Sequence, residues 1–350
     1  MTNRKRYRYR YPGNGARLSG TSCFLLVLWL FCGISFAQEQ KRPATRMQAM
    51  QAISTPDFGY LPTYLAKGKN FFADEGLDLK LVVMNARVSV LALLAGEIQF
   101  AVAASSMNAA LRGSPLKAIF FFYNTSTWQF MVRPEIRNAE DLKGKVVAIG
   151  TVGSTTDLAT RLIIKKFGFE PGRDVKLLPS SDARARILTM ETGQAVGSLL
   201  NPDVAAEMAS KGYRILINSA DVFPVPFSGI AVNDQLIRTN PEVIKRWMRA
   251  HLRAISFIRQ NPEEAALIAS KELKLDPETA RAAMKLVLPA MSADDPGGFT
   301  EKAMRFHLEH SAGQAGVEAK NVRIADIADV SLLRAVQREG GIQCKEGYLC

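Results

Sequence analysis

The sequence predicts an α/β fold, with mainly parallel sheets flanked by helices and a helical C-terminal tail. Two observations carry this. Short apolar runs alternate with helix-length segments from Met47 to Asn233, and beyond Asn233 prolines open one helix after another. A third observation, a basic and then apolar start, sets the first segment apart as an address. The 350 residues suggest about two domains. With 47% apolar and 22% charged residues the composition is ordinary for a globular protein. That excludes a disordered chain, a collagen-like repeat and a multi-spanning membrane protein.

Residues 1–37 hold six bases (Arg4, Lys5, Arg6, Arg8, Arg10, Arg17) and no acid, so without them the formal charge of +12 becomes 12 − 6 = +6. The apolar run Cys23–Cys32 follows, then small residues at Ser35 and Ala37 before the polar Gln38. This is the pattern of a cleavable secretory signal ending at Ala37, and it implies an exported protein. Ten apolar residues reach about 15 Å as a helix, half of a ~30 Å hydrocarbon core, which argues against a retained anchor. Cys32 follows bulky Phe31, which argues against lipid attachment there. Cleavage leaves Cys344 and Cys350, expected to close a small terminal loop around Gly347 in an oxidising compartment.

The mature chain then alternates. Strands are expected at Met47–Ile53, Asp78–Met84, Ile98–Ala103 and Leu116–Tyr123, with helices at Gly59–Phe72, Val88–Ala95 and Ser106–Arg112 between them. The pattern restarts with a short turn or helix at Asn138–Leu142 and a strand at Lys145–Ile149. The glycine and hydroxyl turn Gly150–Thr156 opens a helix at Asp157–Phe167. Strands Val175–Leu178, Ala195–Leu199 and Tyr213–Ile217 follow, separated by helices Asp182–Thr192 and Val204–Lys211. A proline-marked loop, Asp221–Ser228, leads to a strand at Gly229–Asn233. Pro241, Pro262 and Pro277 each open a helix, and Thr300–Gly316 and Val330–Glu339 complete the set.

Several chemistries are missing from the pattern. No phosphate-cradling P-loop motif and no nucleophile elbow occur, and Gly150-x-x-Gly153 is only a fragment of a dinucleotide fingerprint. His307 and His310 lie three apart on an expected helix without a third ligand, and read as solvated residues rather than a metal pair. His251 sits among Arg246, Arg249 and Arg253 and reads as a surface residue. That basic helix lacks interleaved aromatics, so no nucleic-acid partner is expected. No cofactor or metal is expected.

In open α/β sheets ligands bind where strands end and helices begin, and four such loops are rich in hydrogen-bonding groups. Ser54–Tyr60 offers Asp57 and Tyr60, and Ala104-Ser105-Ser106 offers two hydroxyls. Gly153-Ser154-Thr155-Thr156 joins a glycine to three hydroxyls at a helix start, where the dipole favours an anion. Asn201-Pro202 follows the strand Ala195–Leu199. Aromatic residues Phe58, Tyr60, Trp128, Phe223 and Phe227 lie in or beside these loops and suit a flat ring. The candidate ligand-binding set is therefore Asp57, Tyr60, Ser105, Ser106, Trp128, Gly153, Ser154, Thr155, Thr156, Asn201 and Phe227. No arginine stands plainly in the loops; Arg87 is the nearest.

The order of motifs is also familiar. Gly59–Asp78, Leu94–Phe100, Asp141–Lys145 leading into Gly150–Ser154, and Asp182–Gly193 leading to Asn201-Pro202 resemble ABC-transporter solute-binding proteins. The family is that of nitrate, sulfonate, taurine and thiamine-precursor binders, and the match runs from about Met47 to Asn261. The resemblance implies the two-lobed, type II periplasmic binding protein fold. Lobe one would combine residues 43–130 with 229–350 and lobe two would be 131–228, with crossings near Trp128–Pro134 and Val225–Gly229. It further implies a monomeric, non-enzymatic protein that captures a small organic anion and hands it to a membrane permease whose ATPase is a separate chain. A pyrimidine-type thiamine precursor is the next ligand class. A pyrimidine-synthesis enzyme of the same fold and a ligand-sensing receptor lobe are the other readings.

Overall fold

A computed structural model describes residues 46–180, 183–291 and 293–350; the expected leader, 1–37, lies outside them. Among the described residues the strands are β1 (Met47–Ile53), β2 (Leu77–Val83), β3 (Ala101–Val102), β4 (Leu116–Tyr123), β5 (Gln129–Val132), β6 (Val146–Ile149), β7 (Lys176–Pro179), β8 (Gly197–Leu200), β9 (Arg214–Asn218) and β10 (Phe227–Asn233). β1 pairs with β2, and β10 lies between β3 and β4. A parallel bridge from Gln51 to Phe100, with Ala52 N donating to Phe100 O at 2.8 Å, joins these into the order β2-β1-β3-β10-β4. The other sheet runs β7-β6-β8-β5-β9, the same arrangement.

In each sheet the fourth place is taken by a strand arriving from the other half of the chain. These two strands, β5 and β10, account for every antiparallel pairing between named strands, whereas the helix-linked pairs β1–β2, β6–β7 and β6–β8 are parallel. A crossover through a helix returns the chain in the same direction; a strand that enters directly from the neighbouring half need not. The structure thus amends one expectation. Gln129–Val132, read as a plain connection, is a fully buried strand of the second sheet.

Local departures have local causes. The helix expected at Gly59–Phe72 is split into a 3-10 turn, Phe58–Tyr60, and helices Leu61–Gly68 and Phe71–Asp74, because Asn70 takes a left-handed φ of 59°. β3 ends after two residues, and its helix, Ala103–Ala110, begins three residues earlier than expected.

The first half is organised around fully buried Trp247, which stacks on Phe100 (centroids 5.0 Å apart) and meets Phe120 edge-on at 5.3 Å. His251, expected on the surface, lies inside this core, and burial pushes its imidazole down to about 3. Its Nδ1 is 2.9 Å from the Trp247 carbonyl, which can only accept, so Nδ1 carries the proton and Nε2 accepts from Thr63 Oγ1 at 2.9 Å. Gln51 closes the ring, accepting from Trp247 Nε1 (2.8 Å) and donating to Thr63 (3.3 Å). A closed circuit of this kind satisfies every partner without admitting water.

The C-terminal region touches both halves: helix Pro277–Val287 packs against helix Pro202–Ser210, and Phe306 meets Phe223 edge-on at 5.8 Å. Cys344 and Cys350 are disulfide-bonded, with Cα atoms 5.9 Å apart. Arg334 fixes this tail from inside. Its guanidinium forks onto Asp295 (2.5 and 2.8 Å), and its Nε donates to the Leu349 carbonyl at 2.7 Å. Both side chains of the pair are buried. Replacing Arg334 by Met removes the counter-charge from Asp295 and is expected to cost about 3–5 kcal/mol, measured by urea unfolding. The double variant with Asp295→Leu should recover much of that loss.

Candidate functional site

The strand ends of the two sheets face one another across a cavity of about 450 Å³. The first half supplies the loop after β1. There Asp57 caps the turn Phe58–Tyr60, accepting from Gly59 N at 2.8 Å and from Thr55 Oγ1 at 2.5 Å. A Cβ at Gly59 would lie 2.6 Å from Ser228 Oγ and 2.8 Å from Asp57 Oδ1, so a larger residue there would have to displace both side chains. Tyr60 is buried with its hydroxyl 3.4 Å from Ser54 Oγ, and burial, opposed by Ser54, pushes it up to about 12.

The second half supplies Asn201, at the start of helix Pro202–Ser210. Its side chain makes no cap bond. Instead Nδ2 donates to Asp57 Oδ2 at 2.9 Å, and Oδ1 accepts from Trp128 Nε1 at 2.8 Å. One polar chain therefore runs from the first half, through the second, to the segment between β4 and β5. Burial, with Asp203 adding to it, pushes the Asp57 carboxyl up from its ordinary 3.8 to about 7, against the bonds from Thr55 and Gly59. The cavity thus holds a carboxyl that exchanges its proton near neutrality.

Trp128 and Phe227 form an aromatic wall, edge-on with centroids 4.7 Å apart, and Phe223 stacks behind Trp128 at 6.4 Å. Ser154, Thr155 and Thr156 line the cavity at the start of helix Thr155–Lys166. This helix start already carries an anion of its own: Asp157 Oδ2 accepts from Gly153 N at 2.9 Å, and Arg161 pairs with Asp157 at 2.7 Å.

Of the residues expected from sequence, Asp57, Tyr60, Trp128, Ser154, Thr155, Thr156, Asn201 and Phe227 line this cavity. Gly153 and Ser105 face a smaller compartment beside it. At Gly153 the φ of +80° already favours glycine, and a Cβ there would point into open space. Ser106 does not line either space: it is fully buried and donates to the Val102 carbonyl at 2.9 Å. Phe58 is likewise core, and Arg87 is exposed away from the lining.

Two residues enter that sequence reasoning passed over. Arg186, on helix Ala183–Glu191, is buried in the cavity wall. His307, expected to be solvated, also lines it; burial and the neighbouring His310 push its imidazole down to about 4. The signal for His307 was present: Ala303, Met304 and Leu308 are buried on helix Glu301–Ser311, and residue 307 falls on the same face.

This is the type II periplasmic binding protein fold, two sheets of like order joined by crossing strands over a shared cavity. The chain belongs to the family described as NMT1/THI5 like, whose profile matches residues 57–265. It is similar to the riboflavin-binding protein RibY of Chloroflexus aurantiacus, 25% identical over 281 residues, which cover 77% of this chain and 78% of that protein. It is similar too to the 4-amino-5-hydroxymethyl-2-methylpyrimidine phosphate synthase of Candida albicans, 25% identical over 223 residues, 59% of this chain and 65% of the enzyme. In structure it resembles the periplasmic aliphatic sulphonate binding protein SsuA of Escherichia coli, with a TM-score of 0.64 at 15% identity, covering 81% of this chain and 92% of that one.

Proposed function

We propose that the chain is the solute-capturing component of an ABC importer, taking an organic anion with a flat ring and delivering it to a membrane permease. The observation that carries this is the division of the cavity wall. The second half contributes Arg186 and the hydroxyls of Ser154–Thr156, while Tyr60, Phe121, Trp128 and Phe227 contribute rings. A cation beside aromatic surface suits an aromatic sulfonate or carboxylate, whereas nitrate or taurine would leave most of about 450 Å³ unfilled. The name of RibY, after a flat-ringed vitamin, supports the ring. A neutral pyrimidine-type ligand is the second reading, favoured by Asp57 and Asn201, which together present a carboxyl and an amide as a heterocycle edge requires.

In this reading the two sheets with their helices form two lobes, divided within the crossing segments just before β5 and β10 rather than at residues 130 and 228, that close on the ligand as a monomer, and the permease recognises the closed form. Export would remove residues 1–37. Mass spectrometry of periplasmic extract is expected to find a chain beginning at Gln38; an intact leader or a lipid on Cys32 would contradict it.

A thermal-shift screen tests the ligand class. Aromatic sulfonates and carboxylates at about 100 times their dissociation constant should add ~2.7 kcal/mol of stability. Stabilisation by nitrate or taurine alone would sink the ring assignment. Arg186→Gln is expected to weaken a bound aromatic acid about tenfold to a hundredfold by calorimetry, the range of a lost charge-assisted hydrogen bond.

A further inference from the structure

Strand β10 enters the first sheet through Phe227, Ser228 and Gly229, and its second residue has a backbone unlike a strand's. Ser228 takes a left-handed φ of 49°. Among the described residues only Asn70 and Lys274 share this outside glycine, and both stand at helix ends, where the conformation is common. Packing fixes the residues on either side of Ser228. Phe227 pairs with Tyr123 and Gly229 with Phe121, and a Cβ on Gly229 would fall 2.3 Å from the Phe121 ring. Glycine would hold the φ of residue 228 without strain, so a side chain kept there points to a use for that side chain.

Ser228 is half-buried and lines the cavity. The other hydroxyls that the first half brings to this wall are committed within the chain. Ser54 and Tyr60 meet one another, and Thr55 donates to Asp57. Ser228 Oγ has no hydrogen-bond partner among the described residues, yet it is not shut off from solvent as an orphaned core atom would be. Its polar neighbour is Asp57, whose Oδ1 flanks Gly59 together with Ser228 Oγ.

We propose that Ser228 is a specificity-determining residue, whose hydroxyl binds a neutral hydroxyl or amino substituent on the ring of the ligand. The proposal rests on the aromatic-acid reading above. Asp57 repels a negative charge placed beside Ser228, which leaves the acid to Arg186 in the opposite wall. A neutral donor escapes that repulsion and pairs with Ser228 Oγ. A methyl group of like size displaces water from the same oxygen and leaves it unpaired.

Calorimetry on the full mature chain compares 4-hydroxybenzoate and 4-aminobenzoate with 4-methylbenzoate. Each polar member is expected to bind about tenfold more tightly than the methyl compound. In Ser228→Gly and Ser228→Ala the preference should fall to about one. Ser228→Gly, freed of the strained φ, should melt no lower than the unaltered chain, so its lost preference cannot come from a damaged fold. A purely structural serine would give the same melting result with the preference intact. Equal affinities in the unaltered protein, or a preference retained in both folded variants, would overturn the proposal while leaving the aromatic-acid reading standing. If no benzoate binds, that reading fails, and cytosine, a neutral ring bearing an amino group, takes the place of the benzoates. Its affinity should fall about tenfold in both variants. An unchanged affinity, or no binding of cytosine, would overturn the role of Ser228 as well.

Discussion

Replacing Trp128 by alanine is expected to abolish ligand binding and to cost about 3–5 kcal/mol of folding stability. The ring is nine-tenths buried, stacks on Phe223 and meets Phe227 edge-on, so its removal opens a hole between the β4–β5 and β9–β10 segments. Its Nε1 also holds Asn201 Oδ1, and Asn201 in turn donates to Asp57. The wall and the polar chain are lost together. Trp128→Phe separates the two: it keeps most of the packing and drops only the hydrogen bond, for about 1 kcal/mol. Urea unfolding measures the stability terms, and calorimetry with an aromatic acid from the screen measures the binding. Unchanged affinity in a folded Trp128→Ala variant would remove the cavity from consideration as the ligand site.

The affinity for an anion is expected to fall as pH rises through about 7, approaching tenfold per pH unit above that point. Asp57 is neutral below about 7, and an anion beside it raises its pKa further, so binding takes up a proton once the free carboxyl has lost its own. Asp203, itself pushed up by burial, adds to the effect, while Thr55, Gly59 and Asn201 favour the charged form. Asp57→Asn should flatten the profile. A neutral heterocycle should give a shallow one, which distinguishes the two ligand classes directly. Identical anion affinities at about pH 5.5 and about pH 8.5 would refute the coupling. Folding stability follows the same group. Its folded pKa of about 7 lies above the ordinary 3.8, so its contribution is complete below 3.8, is lost as pH rises from there to about 7, and is constant beyond.

Much of the cavity lining was legible because the rule that placed it is geometric. Loops at strand ends converge, so Asp57, Tyr60, Ser154, Thr155, Thr156 and Asn201 could be named from alternation alone. Ser106 shows the limit of that rule: residues 105 and 106 stand at the same loop, and the turn of the helix sends only the first toward a cavity. Arg186 and His307 come from a helix body and from the tail, more than 100 residues apart in the chain, and no local pattern announces that they meet. β5 escaped notice for a different reason. Gln129–Val132 is four residues long and buried on both faces, so it shows neither the alternation nor the length that marks a strand.

The disulfide-tied end of the chain is not a loose tail. Tyr348, inside the loop closed by Cys344 and Cys350, accepts from Asn124 Nδ2 at 2.7 Å, and Asn124 is the first residue after β4, where the chain sets out for the second sheet. Lys345 adds a tie to Asp294 at 2.5 Å. A purification handle or fluorescent reporter appended after Cys350 is therefore mechanically connected to a crossing segment. An environment-sensitive dye placed at that end is expected to report ligand capture from outside the cavity, and Tyr348→Phe, which removes the bond to Asn124, is expected to weaken the signal.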